Sequence, residues 1–114
     1  MEENILNSVK KSIGIVSEYD AFDDVLIIHI NSVFMILAQM GVGPAKGFRL
    51  EDGSEGWSDF LSEEYENYDS VKSYICMKVH LLFDPPSSST HLEALKQSVS
   101  EFEWRLNFEA EESK

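Results

Sequence analysis

Leu81-Leu82-Phe83-Asp84-Pro85-Pro86-Ser87-Ser88-Ser89 decides how this chain folds. Asp84 precedes a proline, which biases it away from the α region and stops any helix that arrives there. The second proline holds φ near about −65° and cannot carry that helix further. The serines that follow are short side chains able to accept from the free amides of a new helix. Asp84, Pro85 and Pro86 therefore form a stiff corner between two helices.

The flanking residues supply both helices. Before the corner, Val71, Tyr74, Ile75, Lys78, Val79 and Leu82 recur at spacings of three and four, widened by Met77 and Leu81. That pattern predicts a helix starting at Asn67 or Asp69 and ending near Phe83. After the corner, Thr90-His91-Leu92-Glu93 has the form of a capping box. Leu92, Leu95, Val99, Phe102 and Leu106 then mark two heptads of an a/d seam. The seam needs a facing helix, and the corner offers the one before it. Glu103, Trp104 and Arg105 fall largely off the seam, and Phe108 lies beyond it. Residues 109–114 are acidic and read as a frayed tail.

Upstream, Ile5, Leu6, Val9 and Ile13 predict a short helix over 4–13, with Asn4 as N-cap and Gly14 just past its end. Lys10 and Lys11 sit in its last turn, where cations complement the helix dipole. A second helix is expected over about 21–40, capped by Asp20 or Ser17 and ended by Gly41. It is apolar on most of its circumference, the pattern of a buried central helix. Its β-branched residues would also suit a strand, but its length and caps favour helix. Five of the six glycines then fall in residues 41–56 of a long irregular stretch, 41–68. Within it, Ser58 can cap a helical turn to Leu61 that packs Trp57, Phe60 and Leu61, while Glu63, Glu64 and Glu66 read as solvated. Such a loop in a small domain is usually functional or disordered, and its large aromatics argue for partial anchoring. The expected fold is all-α: a single domain over 1–108, a bundle of about four helices with one long loop.

Composition limits the function classes. A hydrophobic fraction of 43% is globular. Cys76 is the one cysteine, so no internal disulfide forms. No apolar run approaches the ~18 residues of a membrane span; Val25 to Leu37 comes nearest, and Asn31 and Ser32 interrupt it. No basic region precedes an apolar one at the N-terminus, which argues against a signal peptide and for the cytoplasm or a particle assembled there. Net charge is −12, so free duplex DNA is repelled at long range and groove binding is disfavoured.

No catalytic constellation emerges. His29, His80 and His91 form no i, i+4 pair and no HExxH or Cys/His cluster, so neither a metal nor a cofactor is expected. Cys76 reads as core packing. Gly41-Val42-Gly43-Pro44 follows a helix and lacks a P-loop lysine. The carboxylates cluster in runs and show no shared pocket. The expectation is a non-enzyme.

Two stretches exceed what a small core needs: Trp57-Ser58-Asp59-Phe60-Leu61 and Trp104-Arg105-Leu106-Asn107-Phe108. Trp, Arg and Phe are enriched in protein interfaces. Trp57, Phe60, Trp104, Arg105 and Phe108 are thus the candidate interface residues, although both tryptophans could equally pack on their own domain.

The order of these motifs resembles a known family. Gly41-Val42-Gly43, Trp57-Ser58-Asp59-Phe60-Leu61, Val79-His80-Leu81-Leu82-Phe83-Asp84-Pro85-Pro86 and Glu103-Trp104-Arg105-Leu106-Asn107 are similar to the head–tail connector (head-completion or adaptor) proteins of long-tailed bacteriophages. The likeness runs from Ile5 to about Asn107. It implies an all-α subunit of a homo-oligomeric ring at the head–tail junction of the virion, assembled in the bacterial host cytoplasm. The ring's expected partners are further copies of the chain, the portal protein and the next tail-side protein, with no membrane involved. DNA would pass through the channel without specific binding, and acidic walls would limit sticking. Competing readings are an acidic DNA mimic that blocks a nucleic-acid-binding protein, and a generic helical interaction module. Neither accounts for the ordered motifs.

Overall fold

The computed structural model describes residues 4–112 apart from Ala45 and Glu63, and gives the backbone alone over 109–112. Five helices follow in chain order: α1 (Ile5–Ser12), α2 (Asp23–Met40), α3 (Trp57–Phe60), α4 (Tyr68–Phe83) and α5 (Ser89–Glu112). Among the described residues there is no strand, only an isolated antiparallel bridge between Asn4 and Gly56. The fold is all-α, as the periodicities predict.

The corner behaves as its sequence dictates. Asp84 leaves the helical region at φ −144°, ψ 69°, and its amide donates to the His80 carbonyl at 2.9 Å. Capping of α5 differs from expectation. The helix begins one residue before Thr90, and Ser88 Oγ takes the His91 amide at 3.5 Å. Ser88, immediately before the helix, reaches an amide of its first turn, so the Thr90 box is bypassed. At ~1.5 Å per residue, the 24 residues of α5 run about 36 Å, close to the 40 Å length of the whole protein. The acidic segment 109–112 therefore prolongs the helix, and residues 113–114 lie outside the described residues.

α4 is the hub. It packs against α1, α2 and α5, and buries Val71, Tyr74, Ile75 and Val79. On α5, Val99 and Leu106 are buried, with Leu95 and Phe102 half-buried against the same core. α2 adds Leu26, Ile30, Val33, Phe34 and Leu37. It starts at Asp23, later than predicted, and no side chain caps it. Its outer side departs further from the expectation of a buried central helix: Val25, Ile28 and Met35 are exposed. By length and composition α2 could also cross a membrane, but its inner face forms the core of this bundle.

α1 contains a surprise for a helix expected to end in solvated lysines. Lys10 is buried; its Nζ meets Asp23 Oδ1 at 2.8 Å and donates to the Ser17 carbonyl at 3.0 Å. The pair ties the end of α1 to the start of α2, and the connecting backbone completes it.

The long loop is anchored along most of its length. Asn31, on α2, donates from Nδ2 to the Leu50 carbonyl at 3.0 Å and accepts the Leu50 amide on Oδ1 at 2.6 Å. Glu55 gathers the following turn by accepting the amides of Glu51 at 2.8 Å and Gly53 at 3.1 Å. Gly53 has φ +87°, and a Cβ there would meet Leu6 Cδ2 at 2.8 Å. Gly43, at φ +92°, would put a Cβ 2.6 Å from Phe60 Cε1. Both positions therefore require glycine. Trp57 Nε1 donates to Ser8 Oγ at 3.0 Å, fixing α3 against α1. Gly56, not Ser58, caps α3, with its amide held by Asp59 Oδ2 at 2.9 Å.

Two substitutions test these anchors by chemical denaturation. Asn31→Ala leaves both polar groups of Leu50 without their partner and is expected to cost about 2 kcal/mol. Lys10→Met strands the Asp23 carboxylate and is expected to cost about 3 kcal/mol, the low end for a buried pair, because Asp23 keeps some solvent contact.

Candidate interaction surfaces

Two of the five aromatic and arginine candidates lie inside the protein. Trp57 and Phe60 are buried, and Phe60 stacks within a triad whose ring centroids lie 4.6 Å from Phe34 and 5.5 Å from Phe48. Lys72 Nζ lies 5.1 Å from the Trp57 ring and 5.0 Å from the Tyr68 ring, a cation–π clasp over the loop. These side chains satisfy the core and leave no aromatic face free for a partner. The reason is geometric: α3 sits over α1 and turns both rings inward.

The other three candidates stand on the solvent side of α5. Trp104 is 67% exposed and Phe108 49% exposed, both large values for such residues. They are one helical turn apart and stack on each other, with centroids 5.4 Å apart and planes 12° from parallel. Arg105 is exposed beside them and lines a shallow hollow with Gln97, Ser100 and Glu101. A second hollow on the other side of Trp104 is formed with Ile36, Gln39 and Met40.

The opposite face of α5 is locked to α4 by polar contacts as well as by the seam. Tyr74 Oη donates to Glu103 Oε2 at 2.7 Å, and Lys78 Nζ reaches the same oxygen at 3.3 Å. Burial, followed by the hydrogen bond to Glu103 and its charge, pushes the Tyr74 phenol well above its ordinary value near 10. Half-burial also raises the Cys76 thiol. Cys76 is thus kept protonated and poorly nucleophilic.

A further surface includes none of the five candidate residues. Ile28, Asn31, Ser32, Met35 and Ala38 of α2 form one wall of a groove of about 670 Å³, and Lys46 to Arg49 form the other. Phe34 and Phe48 make its floor, in edge contact at 5.1 Å. The Asn31 clamp on Leu50 holds the far wall in place. The signal for this surface was present in the sequence. α2 is apolar on most of its circumference, and a bundle this small has too few partners to cover it.

Among the described residues, no group of three His, Cys, Asp or Glu is placed to hold a metal ion. His29 is half-buried beside Phe83 and His91 is exposed on α5. Asp84 and Pro85 are exposed and Pro86 is half-buried, a structural corner between α4 and α5.

The chain is a small all-α bundle that exposes aromatic and apolar side chains on α5 and α2. The chain belongs to the phage connector protein family, whose model matches residues 5–113. It is accordingly a structural component of a bacteriophage, a head–tail connector that works through contacts with other phage proteins and forms part of the virion. Comparison with curated proteins and with solved structures yields no match.

The α4–α5 clasp predicts a pH dependence. The folded state holds the Tyr74 proton more tightly than the unfolded chain does. Its contribution is complete below about pH 10 and is lost as pH rises beyond that. Thermal unfolding at pH 8 to 11 should show this fall. Tyr74→Phe should lower stability by about 1 kcal/mol at neutral pH through the lost hydrogen bond and flatten the alkaline decline, leaving the smaller share carried by Cys76.

Proposed function

We propose that the protein assembles as a homo-oligomeric ring that docks on the portal at the head–tail junction and receives the next tail-side protein. The observation that carries this is the Trp104–Phe108 stack, held in solvent on a rigid helix by the Glu103 clasp behind it. A connector subunit needs such a pre-organised anchor, because binding costs less when the side chains are already ordered. Trp, Phe and Arg at one end of one helix make an interface centre of the usual composition.

The role is mechanical and requires no catalysis or cofactor. The helix hairpin α4–α5, set by Asp84, Pro85 and Pro86, is the rigid body. Ring formation uses head-to-tail contacts, in which each subunit offers two different surfaces. DNA passes through the central channel, and the excess of 21 acidic over 9 basic residues gives walls that repel phosphate. Assembly takes place in the cytoplasm of the bacterial host, after the head has been filled.

Trp104→Ala separates assembly from folding. Trp104 is largely exposed, so the isolated subunit should unfold within about 0.5 kcal/mol of the wild type. Its assembly with itself and with portal, followed by light scattering, should weaken by about tenfold or more. An equal loss in subunit stability would mean that Trp104 serves the fold and not the interface.

A further inference from the structure

Head-to-tail assembly needs two unlike surfaces on one chain, and this chain carries a pair that match in polarity and charge. We propose that the Trp104–Phe108 end of α5 in one copy seats in the groove between α2 and the Lys46–Arg49 segment of a second copy. This inference rests on the ring reading above and identifies the surfaces that would build it.

The groove is apolar where aromatic rings would lie, with Ile28 and Met35 on its wall and Phe34 and Phe48 below. Its volume of about 670 Å³ falls in the range of sites that enclose a drug-sized ligand, ~300–1,000 Å³, and two stacked rings are of that order. Ile28 is 64% and Met35 61% exposed, so the wall is uncovered in the single subunit.

Charge gives the pairing its direction. The groove rim carries Lys46 and Arg49, both exposed and neither ion-paired among the described residues. Two cations at one groove are conspicuous on a chain of net charge −12. The sequence that follows Phe108 is Glu109-Ala110-Glu111-Glu112, on a helix backbone that continues to Glu112. An apolar pair followed by an acidic helix end thus meets an apolar groove with a basic rim, the arrangement that steers association and fixes register. Arg105 is the exception at this end, and it shares its hollow with Glu101.

A subunit cannot satisfy its own groove. Its Trp104 lies beside Ile36, Gln39 and Met40, on a different flank of α2 from Ile28 and Met35, and remains exposed there. The occupant must come from another copy. Because plug and groove are different patches, each bound pair leaves one of each free, and the contact propagates.

Mixing two disabled chains tests this. Met35→Asp closes the groove to aromatic rings, and Trp104→Ala/Phe108→Ala removes the plug; all three positions are exposed, so folding should survive, as circular dichroism would verify. Arg49→Glu serves as a second groove variant. In sedimentation velocity the wild type should grow in mass with concentration. Each variant alone should need at least about tenfold higher concentration to associate. An equimolar mixture of groove and plug variants should form a dimer and stop, since only one intact pair exists. If the mixture stays monomeric, or either variant associates like the wild type, the pairing is overturned. A wild type that remains monomeric to ~1 mM overturns it as well. In each of these cases the ring reading stands or falls separately, on whether the wild-type chain binds portal in several copies.

Discussion

The side chain of Asn31 is the contact on which both the core and the surface of this protein depend. It matches the donor and acceptor of one backbone unit, Leu50, at 3.0 and 2.6 Å, and so fastens a long loop to the middle of α2. Everything downstream in the loop is positioned by that fastening. The Glu55 turn follows, then the bridge from Asn4 to Gly56, then Trp57 against Ser8 and Lys72. A loop of this composition would otherwise pay conformational entropy with little burial to offset it. The same clamp sets the outer wall of the α2 groove, so one amide holds both the loop and the shape of that surface.

A second constraint is size. A 114-residue chain can cover only part of its long helices. α4 takes the central position and is contacted by three others. α2 and α5 each bury one side and leave apolar residues on another: Val25, Ile28 and Met35 on the first, Trp104 and Phe108 on the second. A subunit built to stand alone would carry polar residues there. The chain as a whole is strongly acidic, with a net charge of −12, so its copies repel one another at long range. The buried Lys10–Asp23 pair belongs to the same economy. With little apolar mass to join α1 to α2, an ion pair with one solvent-shielded partner fixes their register.

Much of this was legible in the sequence. The proline corner, the a/d seam and the apolar spacings place the four long helices within a few residues, because local sterics and periodicity govern them. Helix caps were harder, since Ser88 and Thr90 are both competent caps two residues apart and only the three-dimensional path decides where α5 starts. The fate of the aromatics was legible only in part. Trp57 and Trp104 both sit in polar, partly irregular or terminal stretches; one turns inward because a hydroxyl on α1 and a lysine on α4 meet it, and the other finds neither. Lys10 and Asn31 gave no signal, because a lysine in a last helical turn and an asparagine in an apolar helix are both commonly solvated. Their partners lie across the fold. The groove on α2 was encoded in a helix apolar on most of its circumference, which periodicity alone assigns to a core.

The central claim is that this connector works as a ring of identical subunits engaged on portal. Electron microscopy of the purified chain mixed with the portal ring of its own phage tests that most directly. The account predicts class averages with a closed, coaxial ring of several copies beneath the portal, each in lateral contact with its neighbours. Portal rings that carry isolated, non-touching copies, or none, would contradict it.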